Sequence, residues 1–231
     1  MKDLREPLFA LPAGMPAVGA VGFKPPAGRR AVLSNGIAVH MMKDATLPLV
    51  HLAAYVRAGK IWDPPGAVGL GELAADLAAD DIDRDLEFLG ASVEASMNYE
   101  ETRVEMTSLG KDMDAVMDIW SSVMTRPAFA ADKFRIKRDE LLEVLRRRND
   151  DPGREAMREA VRAFYGSGHP YGWRGEAEPL VALKPSDLAA WHANYFRPGG
   201  IVIAAAGDFG SEERLLEGLE RRFGGWKGGQ A

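Results

Sequence analysis

Two carboxylates, Glu72 and Asp76, stand four residues apart in the stretch Gly69-Leu70-Gly71-Glu72-Leu73-Ala74-Ala75-Asp76-Leu77. Leu70, Leu73, Ala74 and Leu77 recur at helical spacing and predict a helix over 67–79, with these four as its core face. Residues four apart share a helix face, so the two carboxylates are neighbours one turn apart. The other side chains able to do chemistry are scattered. His40 and His51 fall in predicted strands, His169 in a Gly-Pro loop and His192 on a late helix. No two of them have metal-ligand spacing, and each is assigned a structural role. With no cysteine there is no disulfide, thiolate metal site or thiol nucleophile. No Gly-x-Ser-x-Gly elbow is present. The glycine-rich Gly66-Ala67-Val68-Gly69-Leu70-Gly71 lacks the Lys-Ser/Thr that completes a phosphate loop.

The elements that must position these residues come in blocks. Residues 1–28, rich in Pro, Gly and Ala, read as an extended N-terminal arm. Residues 29–42 read as a hairpin, with Asn35-Gly36 between two apolar runs. A half-buried strand is predicted over 49–57 and a loop at Pro64-Pro65-Gly66. After the helix over 67–79, a short helix over 82–89 and a strand pair, Ser92–Met97 and Thr102–Leu109, are expected. Helices follow near 111–125, 131–149, 153–165 and 185–195, then a central strand at Ile201–Ala206 and a last helix over 211–222. Residues 29–223 form a single domain in this reading, and 224–231 begin a linker. Strands in hairpins with a helical middle predict an α+β fold with a mainly antiparallel sheet rather than alternating βαβ units.

The chain has 231 residues, is 46% hydrophobic and carries a net charge of -5. That is enough apolar material for a sizeable core, and the mild acidity gives no nucleic-acid footprint. The Arg146-Arg147-Arg148 run reads as a solvated helix face. No apolar run reaches the roughly 18 residues of a membrane helix. The first residues mix acids with bases and make a poor signal peptide. Cysteine content does not choose between cytoplasm and a bacterial periplasm.

Several short segments together resemble the insulinase/pitrilysin-type peptidases, the inverted zincins that include the mitochondrial processing peptidase. Leu33-Ser34-Asn35-Gly36-Ile37-Ala38-Val39 is similar to their opening hairpin. Leu47-Pro48-Leu49-Val50 with Val56-Arg57-Ala58-Gly59 is similar to the next strand, and Pro65-Gly66 with Gly69-Leu70 to the entry of the active-site helix. Leu89-Gly90-Ala91, Arg148-Asn149-Asp150-Asp151-Pro152, Gly168-His169-Pro170-Tyr171-Gly172, Tyr195-Phe196-Arg197-Pro198 and Gly207-Asp208-Phe209 follow in order. The resemblance covers roughly residues 23–226. It implies a sheet with helices packed on one side, in a domain that normally joins others to enclose a chamber.

Active members of that family carry His-x-x-Glu-His on this helix. Two histidines bind zinc, the glutamate activates the metal-bound water, and a distant glutamate completes the ligand set. Here the matching positions hold Glu72, Ala75 and Asp76, and Glu143 matches the distant ligand. The segment after Asp76 is shorter than the family pattern. Three carboxylates would suit calcium, magnesium or manganese better than zinc. The simpler alternative is a solvated acidic face with Glu143 paired to Arg147 one turn on. Ala75 cannot serve as a base, so no catalytic residue is assigned and no metal or cofactor is expected in this domain. The resemblance further implies that the edge strand with Glu94, Ala95, Ser96 and Met97 pairs with an extended peptide, weighed against a plain edge strand guarded by Glu94. The resulting expectation is a non-catalytic domain that partners an active peptidase subunit or a second domain. A working zinc endopeptidase with its motif elsewhere, and a structural assembly subunit, are the alternatives.

Overall fold

The computed structural model describes residues 28–80 and 83–227. The arm expected over 1–28 lies outside these residues apart from Gly28, as do residues 228–231 of the expected linker. The strands are β1 (Arg29–Val32), β2 (Ala38–Lys43), β3 (Leu49–Val56), β4 (Ser92–Met97), β5 (Thr102–Leu109) and β6 (Ile201–Gly207). They form one six-stranded sheet in the order β1-β2-β6-β3-β5-β4. Neighbours run antiparallel except β2 and β6, which are parallel. The fold is therefore α+β with a mainly antiparallel sheet.

Alternation fixes which face of the sheet is covered, because successive side chains on a strand point to opposite sides. Val50, Leu52, Ala54 and Val56 of β3 are buried, as are Val104 and Met106 of β5 and Ile201 and Ile203 of β6. The intervening His51, Val202, Met42 and Leu49 are exposed. The helices thus lie on one side. Two of them that bury large side chains are α3 (Met113–Thr125) and α8 (Glu212–Phe223). From α3, Met113, Met117, Trp120 and Met124 enter the core; from α8, Leu215, Leu219 and Phe223. Trp120 meets Phe223 edge-on at 5.5 Å and donates its indole N–H to the Val104 carbonyl at 2.9 Å, which resolves the buried donor. Each such side chain fully removed from water contributes about 1.5–3 kcal/mol.

The other helices are α1 (Leu70–Ala78), α2 (Asp83–Leu89), α4 (Ala131–Arg146), α5 (Pro152–Tyr165), α6 (Ala177–Ala182) and α7 (Pro185–Tyr195). Short 3₁₀ turns occupy Lys60–Trp62, Pro170–Gly172 and Pro198–Gly200. α1 packs on β4, α4 and α7. α5 begins at Pro152 with the Asp151 carboxylate accepting from the Gly153 and Arg154 amides, a side-chain cap for otherwise orphan donors. Trp226 follows α8 and turns back, its amide bonded to the Phe223 carbonyl at 2.8 Å. Among the described residues no helix is long and apolar enough to cross a membrane.

Candidate functional site

The helix predicted over 67–79 begins at Leu70, because Gly69 sits at φ +106, a left-handed conformation that cannot continue a right-handed helix. Its exposed amides are met from upstream. The Asp63 carboxylate accepts from the Gly69 and Gly71 amides, both at 2.8 Å. Asp63 is buried, and burial pushes its carboxyl up to about 6 against the pull of those two amides; the charge of Glu72 adds to the rise. Gly71 packs directly on the Trp191 ring of α7, where a Cβ would come within 2.6 Å of ring carbon. The inner, N-terminal end of α1 is thus fixed by backbone anchoring and close packing.

The outer face of α1 carries the sequence-predicted positions. Glu72 is half-buried and forms an ion pair with Lys60 Nζ at 2.9 Å. Ala75 is buried in the core side of the helix. Asp76 reaches solvent, one turn beyond Glu72. Partial burial raises its carboxyl above the ordinary value, with the Glu72 charge adding, while Lys137 and Lys60 act in the opposite direction. Glu143, on α4, is half-exposed and turned along its own helix: Arg147 lies at 2.7 Å and Arg146 at 3.5 Å. So the structure places Glu72 and Asp76 side by side, and Glu143 is engaged with arginines. Among the described residues no three His, Asp or Glu side chains gather as a group able to hold a metal ion.

These residues do not fit a zinc ion. Catalytic zinc sites are built on histidine or cysteine ligands, with a carboxylate at most as one of the three, and keep a fourth position for water. The two positions on α1 offer carboxylate oxygens, one of them already bound to an ammonium. The position between them presents a buried methyl group, with no atom that could accept a proton from water.

The edge strand β4 pairs with β5, register Ser92↔Thr107 to Met97↔Thr102, and lies at the end of the strand order. Val93 is buried and Ala95 and Met97 are partly buried, whereas Ser92, Glu94 and Ser96 are exposed. α1 packs against this strand, so the acidic face and the edge are neighbours. Just past Met97 the carbonyls of Asn98 and Tyr99 accept from the Lys60 and Ile61 amides, both at 3.0 Å, which closes that end. An added strand would therefore have Ser92–Met97 as its template.

The histidines occupy three separate places. His40 and His51 are exposed on the sheet face opposite the described helices. His169 caps the Pro170–Gly172 turn, its Nδ1 accepting from the Tyr171 amide at 3.2 Å. His192, on α7, is buried and stacks on Phe196 at 4.1 Å. Burial lowers its pKa to about 4, opposed by a hydrogen bond to the Val123 backbone. Sequence reasoning missed Lys60 and Asp63. Asp63 did leave a signal, an acid in Asp63-Pro64-Pro65-Gly66 just ahead of a helix; Lys60 left none, since its partner lies across that loop.

Comparison with known proteins agrees with this geometry. A model of the insulinase family (peptidase family M16) matches residues 39–172. Uncharacterized zinc proteases of Mycobacterium tuberculosis and Mycobacterium bovis are 27% identical over 231 residues, covering 93% of this chain and 50% of their own length. The bovine mitochondrial cytochrome b-c1 complex subunit 1 is 23% identical over 207 residues, covering 85% of this chain and 42% of its own. The chain thus spans about half the length of the curated relatives it matches. Among solved structures, a peptidase M16 inactive domain from Pseudomonas fluorescens superposes with a TM-score of 0.82 at 21% identity, covering 89% of this chain and 52% of that one. A protease from Helicobacter pylori gives 0.75 at 18% identity, covering 89% and 52%.

Proposed function

We propose, since the chain belongs to the insulinase family of peptidases (family M16), that this domain is a non-catalytic partner of an active zinc peptidase subunit or of a second peptidase-like domain. The observation that carries the reading is the site on α1. Glu72, Ala75 and Asp76 stand where two zinc-binding histidines and a general base are needed, and Glu72 is held by Lys60. Ala75 offers no atom to take the proton of an attacking water, and without histidine ligands the zinc that would acidify that water lacks its usual donors. What the domain retains is β4, whose backbone can pair with an extended peptide whatever its side chains are. Its role would be to help form a chamber and hold peptide there. Residues 29–223 would act as a single domain and 224–231 as the start of a linker.

Two other readings have particular support. The relatives named zinc proteases are about twice as long as the matched region, which favours a working endopeptidase whose metal motif lies in another part. The likeness to cytochrome b-c1 complex subunit 1 favours a structural assembly subunit. The deciding experiment is metal analysis of the purified chain together with cleavage of an unstructured peptide, with and without chelator. We expect no zinc at unit stoichiometry and no chelator-sensitive cleavage. Near-stoichiometric zinc with cleavage lost on chelation would overturn the proposal. Binding of a fluorescent extended peptide separates the chamber role from the purely structural one.

A further inference from the structure

Asp80, in the turn just past the end of α1, follows Glu72 and Asp76 of the helix, and three lysines face these carboxylates. Lys60, from the turn at 60–62, lies 2.9 Å from Glu72. Lys137 and Lys133, from α4, lie 3.0 and 3.2 Å from Asp80. Asp76 lies between Glu72 and Asp80 in the chain, within the field of Lys137 and Lys60. Burial would raise the Asp80 carboxyl, but its hydrogen bonds to Lys137 and Lys133 outweigh that and hold it below the ordinary value. The ammonium groups therefore come from two elements and converge on a third.

We propose that Lys60, Lys133 and Lys137 are the resident cations of the α1 face, joining α1 to the 60–62 turn and to α4 and keeping divalent metal ions out. The inference rests on the non-catalytic reading of the domain and adds the means by which the acidic face is held. Two carboxylates one helical turn apart, with a third just past the helix end, repel one another unless cations stand among them. An ion bound through positions 72, 76 and 143 would join α1 to α4; here Lys133 and Lys137 make that connection from α4 and leave Glu143 to Arg147. Lys60 adds a second tie, because its own amide is bonded to the Asn98 carbonyl beside the edge strand. A fixed ammonium also acts against a second cation. At about 6 Å from a dication it weakens binding about tenfold even at the dielectric of water.

Two measurements test this. The first introduces zinc ligands, Glu72→His, Ala75→Glu and Asp76→His together, with and without Lys60→Met, and titrates zinc against a competing chelator. We expect the variant with Lys60→Met to bind zinc about tenfold more tightly; equal affinity would overturn the exclusion. The second is a cycle in the native chain with Lys60→Met, Glu72→Gln and both, read by thermal midpoint. Each single change should lower the midpoint by about 1–3 °C, and the pair by no more than one alone. Additive losses would show that the ion pair ties nothing and would overturn the linking role, even if no zinc-liganded variant folds. Neither result depends on peptide cleavage, so this inference can fail while the non-catalytic reading stands.

Discussion

The two sides of α1 are built on different principles. Its inner end is held by groups that cannot be exchanged singly: the Asp63 carboxylate on two backbone amides, and Gly71 against the Trp191 ring. Its outer face and the turn just past its end are held by ion pairs between partly exposed side chains, Lys60 with Glu72 and Lys137 with Asp80. Buried polar groups with fixed partners are costly to disturb, whereas ion pairs at the surface are individually weak. That contrast shows how a peptidase framework can persist when the side chains at positions 72, 75 and 76 change. The backbone anchors and the packing beneath them keep the helix beside β4, while the outward side chains can change with small effects on folding.

The largest expected effect comes from forcing a methyl group into the inner side. In an exposed helix interior Gly→Ala gains about 1 kcal/mol. At Gly71 the added Cβ would lie 2.6 Å from Trp191 and 2.9 Å from the Asp63 carboxylate. Overpacking of a filled core costs typically about 1–3 kcal/mol, and loss of the Asp63 bonds adds to it. Gly71→Ala should therefore destabilise by roughly 2 kcal/mol or more, measured by urea unfolding. A neutral result would break the claim that the inner end is tightly fixed.

A pH test probes the same side more finely. Asp63 titrates near 6 when folded and near 3.8 otherwise, so acidification from pH 7 to pH 5 protonates the folded state first and favours it. His192 does the opposite. Its folded value of about 4 lies below the ordinary 6.5, so over the same interval the unfolded chain takes the proton and stability falls. The two nearly offset one another. Replacing the histidine should uncover Asp63: His192→Gln should gain roughly 2 kcal/mol relative to wild type on going from pH 7 to pH 5, and Asp63→Asn should shift the other way by roughly 1 kcal/mol. Urea midpoints at the two pH values check both. Parallel pH profiles for all three proteins would mean that neither group is buried as described.

Much of the frame was legible because it rests on periodicity. The strand pair at 92–97 and 102–109, the apolar run at 201–206 and the Asn35-Gly36 turn put the strands within a residue or two. What the sequence could not give were relations between distant segments. The parallel pairing of β2 with β6 joins residues some 160 apart in the chain and leaves no local mark. The helix expected to 149 stops at Arg146 and the chain turns there, bringing Arg148 onto the Gly175 carbonyl at a site no local pattern announces. α6 is six residues long with Pro179 inside, too short for a period to show. At the site, the types at 72, 75, 76 and 143 were readable and so was the chemistry they cannot do. The lysines that answer them were not, because charge pairing between elements follows from the fold alone.

The smallest predicted effect bears on the outer side. Glu143 is the matched position on α4, and its half-exposed carboxylate bonds to Arg147 at 2.7 Å with Arg146 nearby. A pair four residues apart on an exposed helix contributes about 0.3–0.5 kcal/mol, and salt screens most of it. Glu143→Ala should consequently change stability by no more than about 0.5 kcal/mol at low salt and by less at 0.5 M salt. Addition of calcium, magnesium or manganese should leave the difference between the two proteins unchanged. If a divalent ion instead stabilised the wild type and the substitution removed that gain, Glu143 would be a ligand, and the outer face of α1 would be a cation site rather than a set of ion pairs.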